Sequence, residues 1–133
     1  MSPEYPRKPT IQILLVDDDP HIRLLGRELL EELGYVVETA GEGGEVLEKV
    51  QQGPFPDLVI LDFHLPGMSG LEVFRRLKSL DPGAKVLVAS GFSSAREIEE
   101  LRAEGAAGFL NKPFRLRELR SRIEEILQAS SED

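Results

Sequence analysis

The residues able to do chemistry stand at regular places in this chain of 133 residues. Asp17 and Asp18 follow the apolar run Ile11–Val16, and Asp62 follows Leu58–Leu61. Ser90 follows Lys85–Ala89, and Lys112 follows Gly108–Leu110. One carboxylate after a short apolar run is ordinarily a helix cap or a turn former. Three carboxylates, a hydroxyl and an ammonium brought to one place would be a different matter. At about 4 Å and an effective dielectric near 20, two unit charges interact by about 4 kcal/mol, so three ionised carboxylates need a counterion. All three are hard oxygen donors, and one or two carboxylates completed by water and phosphate oxygens suit Mg2+. With Mg2+ and the Lys112 ammonium beside them, the formal charge of such a site is zero. A neutral, metal-bearing site of this kind is suited to receive a phosphoryl group, with one carboxylate as the nucleophile that forms an acyl phosphate.

The elements that must position these groups are legible from periodicity. Short apolar runs alternate with segments of helical apolar spacing, and five such strand–helix units can be counted. In the first, Asp17-Asp18-Asp19 closes the strand, Pro20 is suited to the first position of a helix capped by Asp19, and Gly34 stops it. Ile22, Leu25, Leu29 and Leu33 are expected to form the inward face of that helix. Strand two is expected at Tyr35–Thr39, and a short helix at Glu45–Gln52 with Val46, Leu47 and Val50 inward. Past the loop HLPGMSG, Leu71, Phe74 and Leu77 mark helix three, which Asp81-Pro82-Gly83 breaks. Ile98 and Leu101 mark helix four, and Leu116, Leu119, Ile123, Ile126 and Leu127 mark helix five. Strands three and four carry few polar residues, as parallel strands covered on both faces do. These features predict an α/β fold with an open, doubly wound parallel sheet of five strands, for which the flavodoxin-like (βα)5 order 2-1-3-4-5 is the arrangement adopted here as the expectation. Such sheets carry function beyond the carboxyl ends of their strands, and in this order strands one and three flank the switch point, where Asp17, Asp18 and Asp62 would converge.

Composition narrows the class. With 41% apolar and 30% charged residues the chain lies in the globular range. Sixteen Lys and Arg against 24 Asp and Glu give a net charge of −8, which argues against binding nucleic acid or an anionic membrane surface. The absence of cysteine excludes disulfides, thiolate metal sites and cysteine nucleophiles, and fits a reducing, cytoplasmic setting. No apolar stretch approaches the ~18 residues of a membrane span, so no membrane insertion is expected. Pro3, Pro6 and Pro9 mark residues 1–10 as a flexible lead or linker, residues 11–128 form the expected domain, and residues 129–133 form a flexible tail. The stretch after Lys112 has room for one helix and that tail, so any output is expected in another domain or another protein.

Four segments, ILLVDDDPHIR (13–23), LVILDFHLPGMSG (58–70), VLVASG (86–91) and GFLNKPF (108–114), occur in order and span the domain. Together they resemble the receiver domains of two-component response regulators, CheY-like in type. The resemblance implies that Asp62 is the phosphoacceptor and that Asp17, Asp18, Asp62 and the backbone carbonyl of His64 hold Mg2+. It makes Ser90 the hydroxyl that bonds one phosphoryl oxygen and Lys112 the ammonium that pairs with another, with Asp62, Ser90 and Lys112 as the catalytic set. Ser90 and Phe109 would be the switch residues, and Lys112-Pro113 the peptide commonly cis in this family. His64 and Phe92 occupy the positions that tune hydrolysis, and a phenylalanine there cannot orient water, which implies a longer phosphoryl lifetime than a glutamate would give. Phe109 lacks the hydroxyl of the more frequent tyrosine. The implied role is a signalling domain, not a turnover enzyme, that catalyses its own phosphorylation from a histidine kinase or histidine phosphotransfer domain. It would signal to an output domain or protein through helix four, strand five and helix five, with homodimerisation left open. The proline-spaced lead and the GFLNKPF wording tilt toward a receiver joined to a hybrid sensor histidine kinase.

Plainer readings stand beside these. His64 is more readily a loop residue whose backbone matters than a metal ligand through its ring, and His21 is expected to face solvent. Ile22, Pro113 and Phe114 are either docking residues for the phosphodonor or rim packing. Arg115, Arg117, Arg120 and Arg122 read as a solvated helix face, given Glu118, Glu124 and Glu125 alongside. A haloacid-dehalogenase-like phosphatase would use Asp17-x-Asp19, but Pro20 and the lack of a late acidic pair fit it poorly. An FMN carrier would need a Ser/Thr/Gly-rich loop after strand one.

Overall fold

A computed structural model describes residues 10–91 and 94–131, and the side chains among them through residue 128. Five strands alternate with five helices. They are β1 (Gln12–Val16), α1 (Pro20–Glu32), β2 (Val36–Ala40), α2 (Gly43–Gln52) and β3 (Leu58–Asp62), then α3 (Gly70–Leu80), β4 (Val86–Ser90), α4 (Ala95–Ala103), β5 (Gly108–Asn111) and α5 (Leu116–Ser131). The strands pair in parallel in the order β2-β1-β3-β4-β5, the doubly wound order expected from the sequence.

Period-two alternation divides the core into two layers. Leu14, Val16, Val59, Leu61, Val86 and Val88 pack toward α2, α3 and α4, where they meet Val46, Val73, Phe74, Leu77 and Leu101. Ile13, Leu15, Leu58, Ile60, Leu87 and Ala89 pack toward α1 and α5, where they meet Leu30, Leu119, Ile123 and Ile126. Every residue of β3 and β4 is buried, and each strand reads as an apolar run closed by one polar residue, Asp62 or Ser90.

Helix starts follow local capping chemistry. The Asp19 side chain accepts from the His21 N–H at 2.9 Å ahead of Pro20, and Ser69 accepts from Glu72 N–H at 3.2 Å. Ser94 and Glu97 form a reciprocal capping box at α4. Gly34, at φ 98°, takes the left-handed turn after α1 that a side chain would strain.

The inward face of α1 differs from the one its leucine spacing predicts. Ile22, Leu25 and Leu33 are exposed, Leu29 is half-buried, and Leu30 is the fully buried residue of the helix. The cause is Gly26: a Cβ there would come within 2.6 Å of Leu15 Cδ2. The helix therefore lies closest to the sheet along Arg23, Gly26 and Leu30, a row of residues three and four apart. Leu116 is likewise 45% exposed, at the first turn of α5, and not part of the core.

Candidate functional site

Strand register brings the predicted residues together. Val16 is paired with Leu61 across β1 and β3, so Asp17 and Asp62 stand side by side one step further on. Asp62 is opposite Ala89 and Ser90 opposite Asn111, which puts Ser90 and Lys112 at the same sheet edge. The Lys112 N–H donates to the Ser90 carbonyl at 3.0 Å, fixing the level of the lysine. Lys112-Pro113 is a cis peptide.

Asp17, Asp18 and Asp62 each offer a carboxylate oxygen, and these oxygens lie within 4.8 Å of one another. Asp17 and Asp62 are buried and Asp18 is exposed. The two buried carboxylates are held alike. Asp17 Oδ1 accepts from the Asp19 N–H at 3.0 Å, and Asp62 Oδ1 from the His64 N–H at 3.1 Å. Their other oxygens face the Lys112 ammonium, at 2.8 Å for Asp17 Oδ2 and 3.2 Å for Asp62 Oδ2. Burial acts to lower the Lys112 pKa, but the hydrogen bond to Asp17 and the charges of Asp62 and Asp17 outweigh it, so the ammonium is held above its ordinary value. Burial pushes the Asp62 carboxyl up, and the His64 N–H and Lys112 offset this only in part, with the charge of Asp17 adding to the rise. The lysine cannot fully compensate Asp62 because it sits closer to Asp17. One ammonium serves two buried carboxylates and a third nearby, so the site carries excess negative charge. Hard oxygen donors this close, short of positive charge, fit a divalent cation.

Ser90 is buried, and its Oγ lies 3.3 Å from His64 Nε2; the His64 ring is otherwise exposed. Phe109 is half-buried in β5, at the edge of the layer holding Val88 and Leu101. Phe92 lies outside the described residues. His21 is exposed, Ile22 is 37% exposed, Pro113 is exposed and Phe114 is half-buried. Arg115, Arg117, Arg120 and Arg122 are all exposed, with Arg120 and Arg122 paired to Glu124 and Glu125. Asp19 is committed to capping α1 and stands outside the carboxylate group, so Asp17-x-Asp19 is not the acidic pair of this site.

Two residues at or near the site had no role in the sequence reading. Arg23 Nη1 donates to the Asp17 backbone carbonyl at 2.7 Å, tying α1 to the end of β1. Its signal was its place on the Arg23–Gly26–Leu30 row. The Arg102 guanidinium carbon lies 5.3 Å from the centroid of the Phe109 ring, a contact that no local spacing foretells.

A family model described as the response regulator receiver domain matches residues 13–124. Sporulation initiation phosphotransferase F of Bacillus subtilis is 34% identical over 120 residues, covering 90% of this chain and 96% of that protein. Sensor kinase CckA of Brucella abortus is 34% identical over 117 residues, 87% of this chain but only 12% of the kinase. A CheY-like receiver domain protein from Methanospirillum hungatei superposes with a TM-score of 0.84 at 33% identity, covering 93% of this chain and 99% of that one. The response regulator TrrA of Thermotoga maritima, solved in complex with Mg(2+)-BeF, superposes with a TM-score of 0.77 at 36% identity, covering 88% of this chain and 99% of that one.

Proposed function

This chain belongs to the response regulator receiver domain family, and from that premise we propose that Asp62 is its phosphoacceptor within a two-component phosphorelay. The observation that carries the reading is the carboxylate cluster: three oxygens within 4.8 Å of one another, with Lys112 shared between the two buried members. Asp17, Asp18, Asp62 and the His64 backbone carbonyl would hold Mg2+, the ion that accompanies the phosphoryl mimic in the Thermotoga maritima structure. When bound, the ion supplies charge neutralisation for the phosphoryl oxygens and for the carboxylates around them.

An oxygen of Asp62 attacks phosphorus in line; the new P–O bond forms as the P–N bond of a phosphohistidine breaks, and the departing imidazole takes up a proton. With a small acyl phosphate, the bond broken is P–O and a carboxylate leaves. Lys112 is already at the Asp62 carboxylate, in reach of an oxygen that arrives there. Ser90 exchanges its contact with His64 for a phosphoryl oxygen, and Phe109 follows into the space released, altering the face formed by α4, β5 and α5. The partners are a histidine kinase or histidine phosphotransfer domain on one side and an output domain or protein on the other. The role is signalling, with the domain catalysing its own modification, and the setting we propose is cytoplasmic. No helix of the described residues is long and apolar enough to cross a membrane. Phe92, lacking a group to orient water, favours a slow loss of the phosphoryl group.

Incubation with a small acyl phosphate and Mg2+, followed by intact mass measurement, tests the reading. A single phosphoryl adduct is expected on the wild type and none on Asp62→Asn. Equal adduct on both proteins would overturn it.

A further inference from the structure

We propose that Arg102 is a positioning residue for Phe109, holding its ring in the placement of the unphosphorylated domain and so setting how readily the domain switches. The inference rests on the reading of Phe109 as a switch residue and adds to it a partner on α4.

Arg102 stands near the end of α4, and its guanidinium carbon is 5.3 Å from the Phe109 ring centroid, within the range at which a cation is drawn to the ring face. Both side chains line one open depression of about 360 Å3, together with Gly108, Arg122, Glu125 and Ile126. On its other side Phe109 packs against the layer that holds Val88 and Leu101. The ring is thus set between the core and a guanidinium. Other arginines nearby are claimed by carboxylates: Arg75 by Glu104, Arg96 by Glu100 and Arg122 by Glu125. Among the described residues Arg102 has no ion pair, and its guanidinium rests over the Phe109 ring. Phenylalanine has no hydroxyl to tether, so contact with its ring face is the electrostatic hold open to a side chain here.

In this arrangement Ser90 is directed to His64 and Lys112 is shared between Asp17 and Asp62. A ring moved toward Ser90 would leave the guanidinium of Arg102, and the contact would then belong to one state and not to the other. Only such a difference can bias a two-state equilibrium. Exposed contacts of this kind correspond to a shift of about two- to fivefold.

The test is titration of the full chain with beryllofluoride and Mg2+, followed by NMR of the Phe109 ring, in wild type, Arg102→Gln and Arg102→Lys, with Asp62→Asn as the unresponsive control. We expect about two- to fivefold tighter apparent binding in Arg102→Gln, with Arg102→Lys between it and wild type because the cation is kept. A merely structural loss would not tighten binding. Ring signals that move in wild type while Arg102→Gln binds no tighter would overturn the inference alone. Ring signals unmoved at saturation in wild type would overturn the switch reading and the inference with it.

Discussion

Replacing Asp62 by Asn should make the protein more stable, and the structure allows the size to be worked out. Asp62 lies with Asp17 and Asp18 in a group whose oxygens are within 4.8 Å of one another, which at an effective dielectric near 20 is ~3.5 kcal/mol of repulsion per pair. The exposure of Asp18 discounts its share. Against this stands Lys112 at 3.2 Å, about 5 kcal/mol of attraction on the same scale. Roughly 1–2 kcal/mol remains against the ionised carboxylate, and burial adds to it. Asparagine removes the charge but keeps an acceptor for the His64 N–H that now donates at 3.1 Å. The expected gain is roughly 1–2 kcal/mol, or roughly 3–8 °C in Tm for a domain of this size. Its pH dependence follows from the raised pKa. The folded protein keeps the Asp62 proton to a higher pH than the unfolded chain, whose aspartates titrate near 3.9. Wild-type stability relative to the variant therefore falls as pH rises through the window from the unfolded value up to the raised folded one. The gap is absent in acid and complete above that window. Thermal unfolding of both proteins from about pH 3.5 to 8 measures it. A variant that is less stable than wild type at neutral pH, or a gap that persists unchanged into acid, would refute the reasoning. Added Mg2+ should narrow the gap by stabilising wild type more than the variant.

Three further outcomes follow. Lys112→Met leaves two buried carboxylates without their shared cation and should destabilise the fold by roughly 2–4 kcal/mol, measured by urea unfolding, with part of the loss recovered by Mg2+; an unchanged midpoint would mean that the ion pairs contribute nothing. His64→Ala releases the Ser90 hydroxyl from a contact at 3.3 Å and should tighten apparent beryllofluoride binding by up to about tenfold, read by calorimetry, whereas weaker binding would show that the ring assists the switched state. Gly70→Ala should cost about 1–3 kcal/mol, seen as a lower Tm, because a Cβ at the start of α3 would stand 2.6 Å from the Phe63 Cα and carbonyl oxygen; a neutral result would show that the loop after Asp62 can shift.

What the sequence revealed and what it hid divide along physical lines. Strands β3 and β4 and the groups that follow them were legible because a fully buried parallel strand has to be an apolar run, and a polar residue at its end stands out. Register then left little freedom: once β1 pairs with β3, Asp17 and Asp62 must meet. The face of α1 was hidden because its leucines outnumber the positions that touch the sheet. The contact is decided by Gly26, which shows no hydrophobicity and acts by letting the helix approach Leu15. Leu116 was misplaced for a similar reason, since apolar spacing does not reveal that the first turn of α5 projects past the sheet. The contact of His64 with Ser90 and that of Arg102 with Phe109 join residues of different elements through side-chain orientation, which periodicity does not encode.

The central claim is that Asp62 takes up the phosphoryl group. Its most direct test is chemical trapping: phosphorylate the full chain with Mg2+ and a phosphohistidine donor or small acyl phosphate, reduce with borohydride, and map the peptides by mass spectrometry. An acyl phosphate on an aspartate is reduced to the corresponding alcohol, so the account predicts homoserine at position 62, in Mg2+-dependent yield. Reduction found at Asp17 or Asp18 instead, or a phosphoryl group retained on a residue outside the cluster while Asp62 stays unmodified, would contradict it.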